Sequence, residues 1–233
     1  MASTIAQRRA LTEARRRKIV AQQRRQERDR MEAVSFDRVR RSAKGPIHCC
    51  LIQEGLFEHG FGIVVLARAI GIGEVAMGTF LVDIYCRGIK DAALLCIDLN
   101  EFDCLLGEIG RASPWEQVEP SYARKLLREA AGYGDSCGFS PHRDFTAAEA
   151  LFGDVRSDDC DTAFRFGQHG KPCYVVGPNE SHHKIRKTLQ RLRNRLGEDG
   201  FTFIVPIDEL ELAADDLMTD SSPYETPTAE IPF

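Results

Sequence analysis

The chain has 233 residues, 43% of them hydrophobic, with a formal net charge of −4, enough apolar material for one substantial core with appendages or for two small domains. No apolar run approaches the ~18–20 residues that span a bilayer, and the N-terminus lacks an apolar signal-peptide centre, so neither a membrane partner nor secretion is expected. The eight cysteines include no CxxC pair, which argues against a disulfide scaffold and for free, mostly buried thiols in a cytoplasmic protein.

Charge is placed unevenly. Residues 1–44 hold twelve Arg and two Lys against five acids, a local +9, which leaves −13 on residues 45–233. Residues 3–33 read as one helix, rich in strong helix formers, free of Pro and Gly, with Ser3 or Thr4 as cap. Its apolar positions (Ile5, Leu11, Ile19, Val20, Met31) form no heptad, so no coiled coil is expected. The segment reads instead as a fluctuating helix that is ordered on binding. Guanidinium groups grip phosphate bidentately and stack on bases. Arg8, Arg9, Arg15, Arg16, Arg17, Arg24 and Arg25 are therefore candidate contacts to nucleic acid, RNA before DNA, in an RNA- or ribosome-associated protein. Two other readings of the arm are a tail that docks on an acidic protein surface, as in an adaptor, and an organelle transit peptide. Glu27, Asp29, Glu32 and Asp37 count against the latter.

The body begins near Gly45-Pro46. Residues 47–53 and 61–68 read as strands, 69–73 as a turn, and 74–86 as a long second strand of a hairpin. That strand is apolar on both faces, with Met77 and Leu81 on one side and Phe80, Val82 and Ile84 on the other, so it should lie centrally and be covered twice. Helices dominate afterwards. Asn100 is the expected cap of a helix ending near Ile109. Ser113-Pro114-Trp115-Glu116 reads as a capping-box start, and a helix over 121–136 should stop at Gly138. Thr146 and Glu149 form another capping box, and residues 164–176 a hairpin around Gln168–Lys171. Asn179 or Ser181 should cap a helix over 182–196, before a last strand at 201–205. Residues 208–233 carry eight acids and no Lys or Arg. They read as an acidic, partly disordered tail able to compete for the arm. Strands, then helices, then strands again predict an α+β fold, a mostly antiparallel sheet packed with several helices and preceded by a long basic helix. The domains are an arm (1–44), a globular domain (45–207) and the tail (208–233).

Two places in the body bear on chemistry. Helix 182–196 has a clean buried stripe at Ile185, Leu189, Leu192 and Leu196. Lys184, Arg186, Lys187, Arg191 and Arg193, with Arg195 beyond them, are candidate phosphate contacts on the other faces; the plain alternative is a solvated helix surface. Asp83, Lys90 and Asp91 are the candidate catalytic residues of an alternative reading, a metal-dependent hydrolase or nuclease, with Asp154 or Glu54 as a third acid. An ion pair from Asp83 to Lys90, Arg87 or Arg68 is the structural alternative. His48, Cys49 and Cys50 are consecutive, and His182 and His183 adjacent, so neither set has the spacing of a metal site, and no metal or cofactor is expected. Gly170-Lys171 lacks the rest of a phosphate loop, and Gly71-Ile72-Gly73 leads into a strand rather than a helix.

Three stretches carry a resemblance: Gly78–Asp91 (GTFLVDIYCRGIKD), Leu151-Phe-Gly-Asp154, and Phe164–Pro178 (FRFGQHGKPCYVVGP). Together they resemble a bacterial protein family of unknown function over about residues 50–180. The resemblance implies a single bacterial cytosolic domain with the arm and tail attached to it, and brings no activity or site residue.

Overall fold

Alternating apolar residues build the sheet. The computed structural model describes residues 41–204 except 112, 178 and 179; the helix expected over 3–33, the acidic tail and the capping candidate Asn179 lie outside the described residues. The strands β1 (Ile47–Gln53), β2 (Phe61–Gly71), β3 (Glu74–Asp83), β4 (Gly88–Asp98) and β5 (Trp115–Gln117) form one antiparallel sheet in the order β4-β3-β2-β1-β5. A one-turn helix, α1 (Leu56–His59), joins β1 to β2, and the β2–β3 hairpin turns at Ile72-Gly73, where Gly73 takes φ 74°. Five strands flanked by helices make the fold α+β, as the order of elements in the sequence predicts.

Both faces of the sheet are covered. On one, Val64, Leu66, Phe80, Val82 and Ile89 meet α3 (Pro120–Ser136), whose Ala123, Leu126, Leu127 and Ala130 recur at helical spacing. The short helix α4 (Phe145–Glu149) and the turn Ala150–Phe152 complete that layer, burying Phe152 against Phe80. On the other face, Val65, Val75 and Met77 pack under Phe102 of α2 (Leu99–Gly110). Each such side chain contributes about 1.5–3 kcal/mol by leaving water. A third cluster lies beside the sheet. There α5 (His182–Leu196) covers Cys86, Cys137, Phe139, Tyr174 and Val176. Beneath it β6 (Cys173–Val175) runs parallel to β7 (Thr202–Ile204).

Several expectations are corrected. β3 ends at Asp83, three residues early, because the Asp83 carboxylate accepts the amides of Tyr85 and Cys86 and turns the chain there. The strand β4 is additional: Lys90 is an extra residue between the pairs Leu81–Asp91 and Val82–Ile89, a bulge that breaks the alternation. The helix expected from Ser113 is instead β5, since Trp115–Gln117 pair with β1 and Trp115 donates its indole N–H to Leu106. Asp98, not Asn100, caps α2 by accepting from the Glu101 amide. Thr146 lies inside α4, with Asp144 at the cap position. The hairpin over 164–176 reduces to a lone bridge, Gln168 to Lys171. All eight cysteines are free thiols, and Cys50, Cys86, Cys137 and Cys173 are buried. No helix among the described residues is long and apolar enough to cross a membrane.

Candidate nucleic-acid interface

The helix α5 is defined by its ends and by one face. The Ser181 hydroxyl accepts from the Lys184 amide at the start, and Gly197, at φ 81°, ends it. Thr188 and Leu192 are buried, with Ile185, Leu189 and Leu196 packed beside them. That stripe leaves Lys184, Arg186, Lys187, Arg191, Arg193 and Arg195 exposed, and the helix carries no acid.

The six cations are not equivalent. Lys184 meets Glu180 at 2.9 Å and Arg193 meets Glu198 at 3.4 Å, so both are partly neutralised. Lys187, Gln190, Arg191, Asn194 and Arg195 instead follow one another at i, i+3, i+4, i+7 and i+8, a single polar stripe. With Gly138 they line an open groove of about 430 Å³. From Lys187 to Arg195 the stripe rises ~12 Å, the axial span of roughly three or four phosphates of one strand. No acid among the described residues pairs with these three cations.

Two of the three are held in place. Arg191 lies 5.5 Å over the Phe139 ring, whose other cation partner is Arg87 at 5.7 Å. Arg195 donates Nε–H to the Ser136 carbonyl at 3.2 Å. Gly138, at φ 91°, carries the chain tightly past the end of α3, where a Cβ would sit 3.5 Å from the Arg191 stem. Charge pattern alone points to all six cations and does not sort them. Gln190, Asn194 and Gly138 join them only because the 136–139 loop packs against this side of the helix. The arm candidates Arg8, Arg9, Arg15, Arg16, Arg17, Arg24 and Arg25 lie outside the described residues. The chain is already packed at Ser42, which is 4% exposed.

Glu180, just before α5, ties this surface to the sheet. Its carboxylate accepts from Tyr174, from Arg87 at 2.9 Å and from Lys184 at 2.9 Å. Burial pushes its pKa up, but the three donors outweigh burial and hold it at about 2, against an ordinary 4.5. A carboxyl depressed by folding stabilises the protein fully above the unfolded value and loses that contribution as pH falls through the folded one. Between pH 4.5 and 2 the Glu180→Gln variant is therefore expected to lose stability less steeply than wild type, measured by urea unfolding at stepped pH. Equal slopes would remove Glu180 from the acid response.

Asp83 and Lys90 lie close enough for each charge to act on the other, as the ion-pair alternative requires, while Asp91 is turned away from them. Asp83 is 6% exposed, and its Oδ1 accepts from Tyr85 at 3.1 Å and from Cys86 at 2.9 Å. Burial raises its pKa, while Lys90, the Cys86 amide and Arg87 oppose the rise. Lys90 occupies the β4 bulge, and burial lowers its pKa. Asp91 is turned to solvent, its carboxylate on the Ala92 amide at 2.8 Å and on His142 at 3.5 Å. Arg68, named as a partner for Asp83, pairs in register with Ala76, seven residues along β3 or ~23 Å away. Asp154 lies beside Arg68 rather than Asp83, and Glu54 is exposed in the turn after β1. Among the described residues no three His, Cys, Asp or Glu are grouped to hold a metal ion. What this arrangement does is anchor a turn. The Asp83→Asn variant keeps the acceptor and is expected to stay within about 1 kcal/mol of wild type in urea unfolding, whereas Asp83→Ala strands two amides and costs about 1–3 kcal/mol. Equal losses would show that charge, not the acceptor, holds the turn.

No family model, curated protein or solved structure matches the chain, so the resemblance over residues 50–180 adds no site residue to this geometry.

Proposed function

We propose that this protein binds nucleic acid, RNA before DNA, through the α5 groove together with the Arg-rich segment before residue 41. The observation that carries the reading is the stripe Lys187, Arg191 and Arg195, with Gln190 and Asn194 between the cations, on a helix without acids. Phosphate takes the cations. Amide side chains can hydrogen-bond to sugar or base edges, and the 2′-hydroxyl gives them one partner more in RNA. Arg191, braced on Phe139, meets a phosphate with little loss of freedom. The acidic remainder of the chain disfavours non-specific wrapping and confines the polyanion to the basic surfaces.

The test is binding of single-stranded RNA and duplex DNA by the full chain across a salt series, repeated on a chain that begins at residue 41. That boundary spares Ser42, which is packed. The expected result is an affinity that falls linearly with salt on logarithmic axes, with a shallower slope once the arm is gone. A flat slope for the full chain overturns the proposal.

A further inference from the structure

The β3–β4 turn meets the end of α3 unusually closely. A Cβ on Gly134 would stand 2.6 Å from the Arg87 carbonyl oxygen, and one on Gly88 would stand 2.4 Å from the Ala130 carbonyl oxygen. Only glycine permits that approach, which sets the helix backbone directly on the turn. Cys86 lies on the turn, its amide fixed by Asp83. Cys137 caps α3, its amide donating to the carbonyls of Tyr133 and Gly134. Both side chains are buried together in the third cluster, at 0% and 1% exposure.

From this geometry we propose that Cys86 and Cys137 form a redox-active dithiol, closed to an intramolecular disulfide by hydrogen peroxide. The roles follow from the shared proton. Cys86 donates to Cys137; burial and that donation keep the Cys86 proton in place. The Cys86 hydrogen bond, aided by Ser136 and Tyr133 against burial, lowers the Cys137 pKa to about 7. Cys137 is thus the attacking sulfur. It caps α3 beside the exposed Ser136, whose hydroxyl lies 3.9 Å from its sulfur. Its thiolate attacks one peroxide oxygen; the O–O bond breaks, and the departing hydroxide leaves as water on taking a proton. The resulting sulfenic acid is attacked by the Cys86 sulfur. The S–S bond forms as the S–O bond breaks, and the Cys86 proton leaves with the hydroxyl as a second water. Two thiols and one peroxide give one disulfide and two waters.

Three of the other cysteines are set apart by position. Cys49 and Cys50 are consecutive on β1, with sulfurs on opposite faces. Cys104 is exposed on α2. The inference rests on packing of the turn against α3 and is independent of nucleic-acid binding.

The test is mass spectrometry of the reduced full chain after treatment with hydrogen peroxide, alkylation in denaturant and digestion without reductant. The expected result is a Cys86–Cys137 linked peptide as the main product, with the remaining cysteines alkylated. In the Cys86→Ser variant, Cys137 should stop at a sulfenic acid that dimedone traps, with several-fold more adduct than in wild type. Alkylation of both thiols in peroxide-treated wild type, or predominant linkage of any other pair, overturns the proposal. So does an unchanged dimedone yield in Cys86→Ser.

Discussion

Replacing Lys187, Arg191 and Arg195 together with Gln is expected to weaken RNA binding about 10- to 100-fold at 0.1 M salt and to reduce the logarithmic salt slope by about 2. Each phosphate contact on a single strand contributes ~0.7 to that slope, so three contacts give ~2, and at 0.1 M salt the same exponent sets the loss of affinity near the upper figure. The fold should survive. The three side chains are exposed, and the packed stripe of Ile185, Thr188, Leu189 and Leu192 is untouched. The structural losses are the Arg191 contact with Phe139, about 0.5–1 kcal/mol, and the exposed hydrogen bond from Arg195 to the Ser136 carbonyl. Arg193 supplies the control. It shares the helix and the charge but is paired with Glu198 at 3.4 Å, so Arg193→Gln should change the slope by less than one contact. Isothermal titration or fluorescence anisotropy over a salt series reads both quantities. An unchanged slope in the triple variant would place the polyanion elsewhere.

The features legible in the sequence are those set by local physics. β2 and β3 show themselves because both faces of each are apolar, which is the mark of strands covered twice. The helices α3 and α5 show themselves through their ends, Gly138 after the one and Ser181 before the other. The strand β4 is hidden by one residue: Lys90 bulges, and the alternation changes phase there. β5 is hidden because Ser113-Pro114 imitates a helix start, and only pairing with β1 makes Trp115–Gln117 a strand.

The candidate site divides in the same way. The charge of α5 is visible in the sequence, but its sorting into paired cations and a groove depends on Glu180, Glu198 and the 136–139 loop, which come from other elements. Asp83 stands out as a carboxylate in an apolar strand, and it is buried. That it accepts two amides follows from the turn, which is hidden where the apolar pattern runs on past Asp83 as strand. Cys86 and Cys137 lie fifty-one residues apart in the chain, so nothing local could pair them.

Replacing Arg68 with Met is expected to cost about 3–5 kcal/mol, among the largest losses of any single substitution in this protein. The guanidinium is 4% exposed and donates to three backbone carbonyls: Leu151 at 2.8 Å, Phe152 at 2.8 Å and Gly45 at 2.5 Å. It thereby joins β2 to the chain entering β1 and to the turn that follows α4. Its ion pair with Asp154 spans 3.7 Å, and that carboxylate is 96% exposed, so solvent screens it. The stabilisation lies in the carbonyls. A buried acceptor left without a donor costs ~1–3 kcal/mol; three would sum higher, but water reaching the Gly45 side brings the expectation down. Met fills the volume and supplies no donor. The ordering of urea midpoints separates the causes. Arg68→Lys keeps the charge but lacks the planar fork that serves three acceptors, so it should fall between wild type and Arg68→Met. Asp154→Asn should lie within about 0.5 kcal/mol of wild type. If Asp154→Asn instead matched Arg68→Met, the ion pair would be the stabilising contact and the carbonyls incidental.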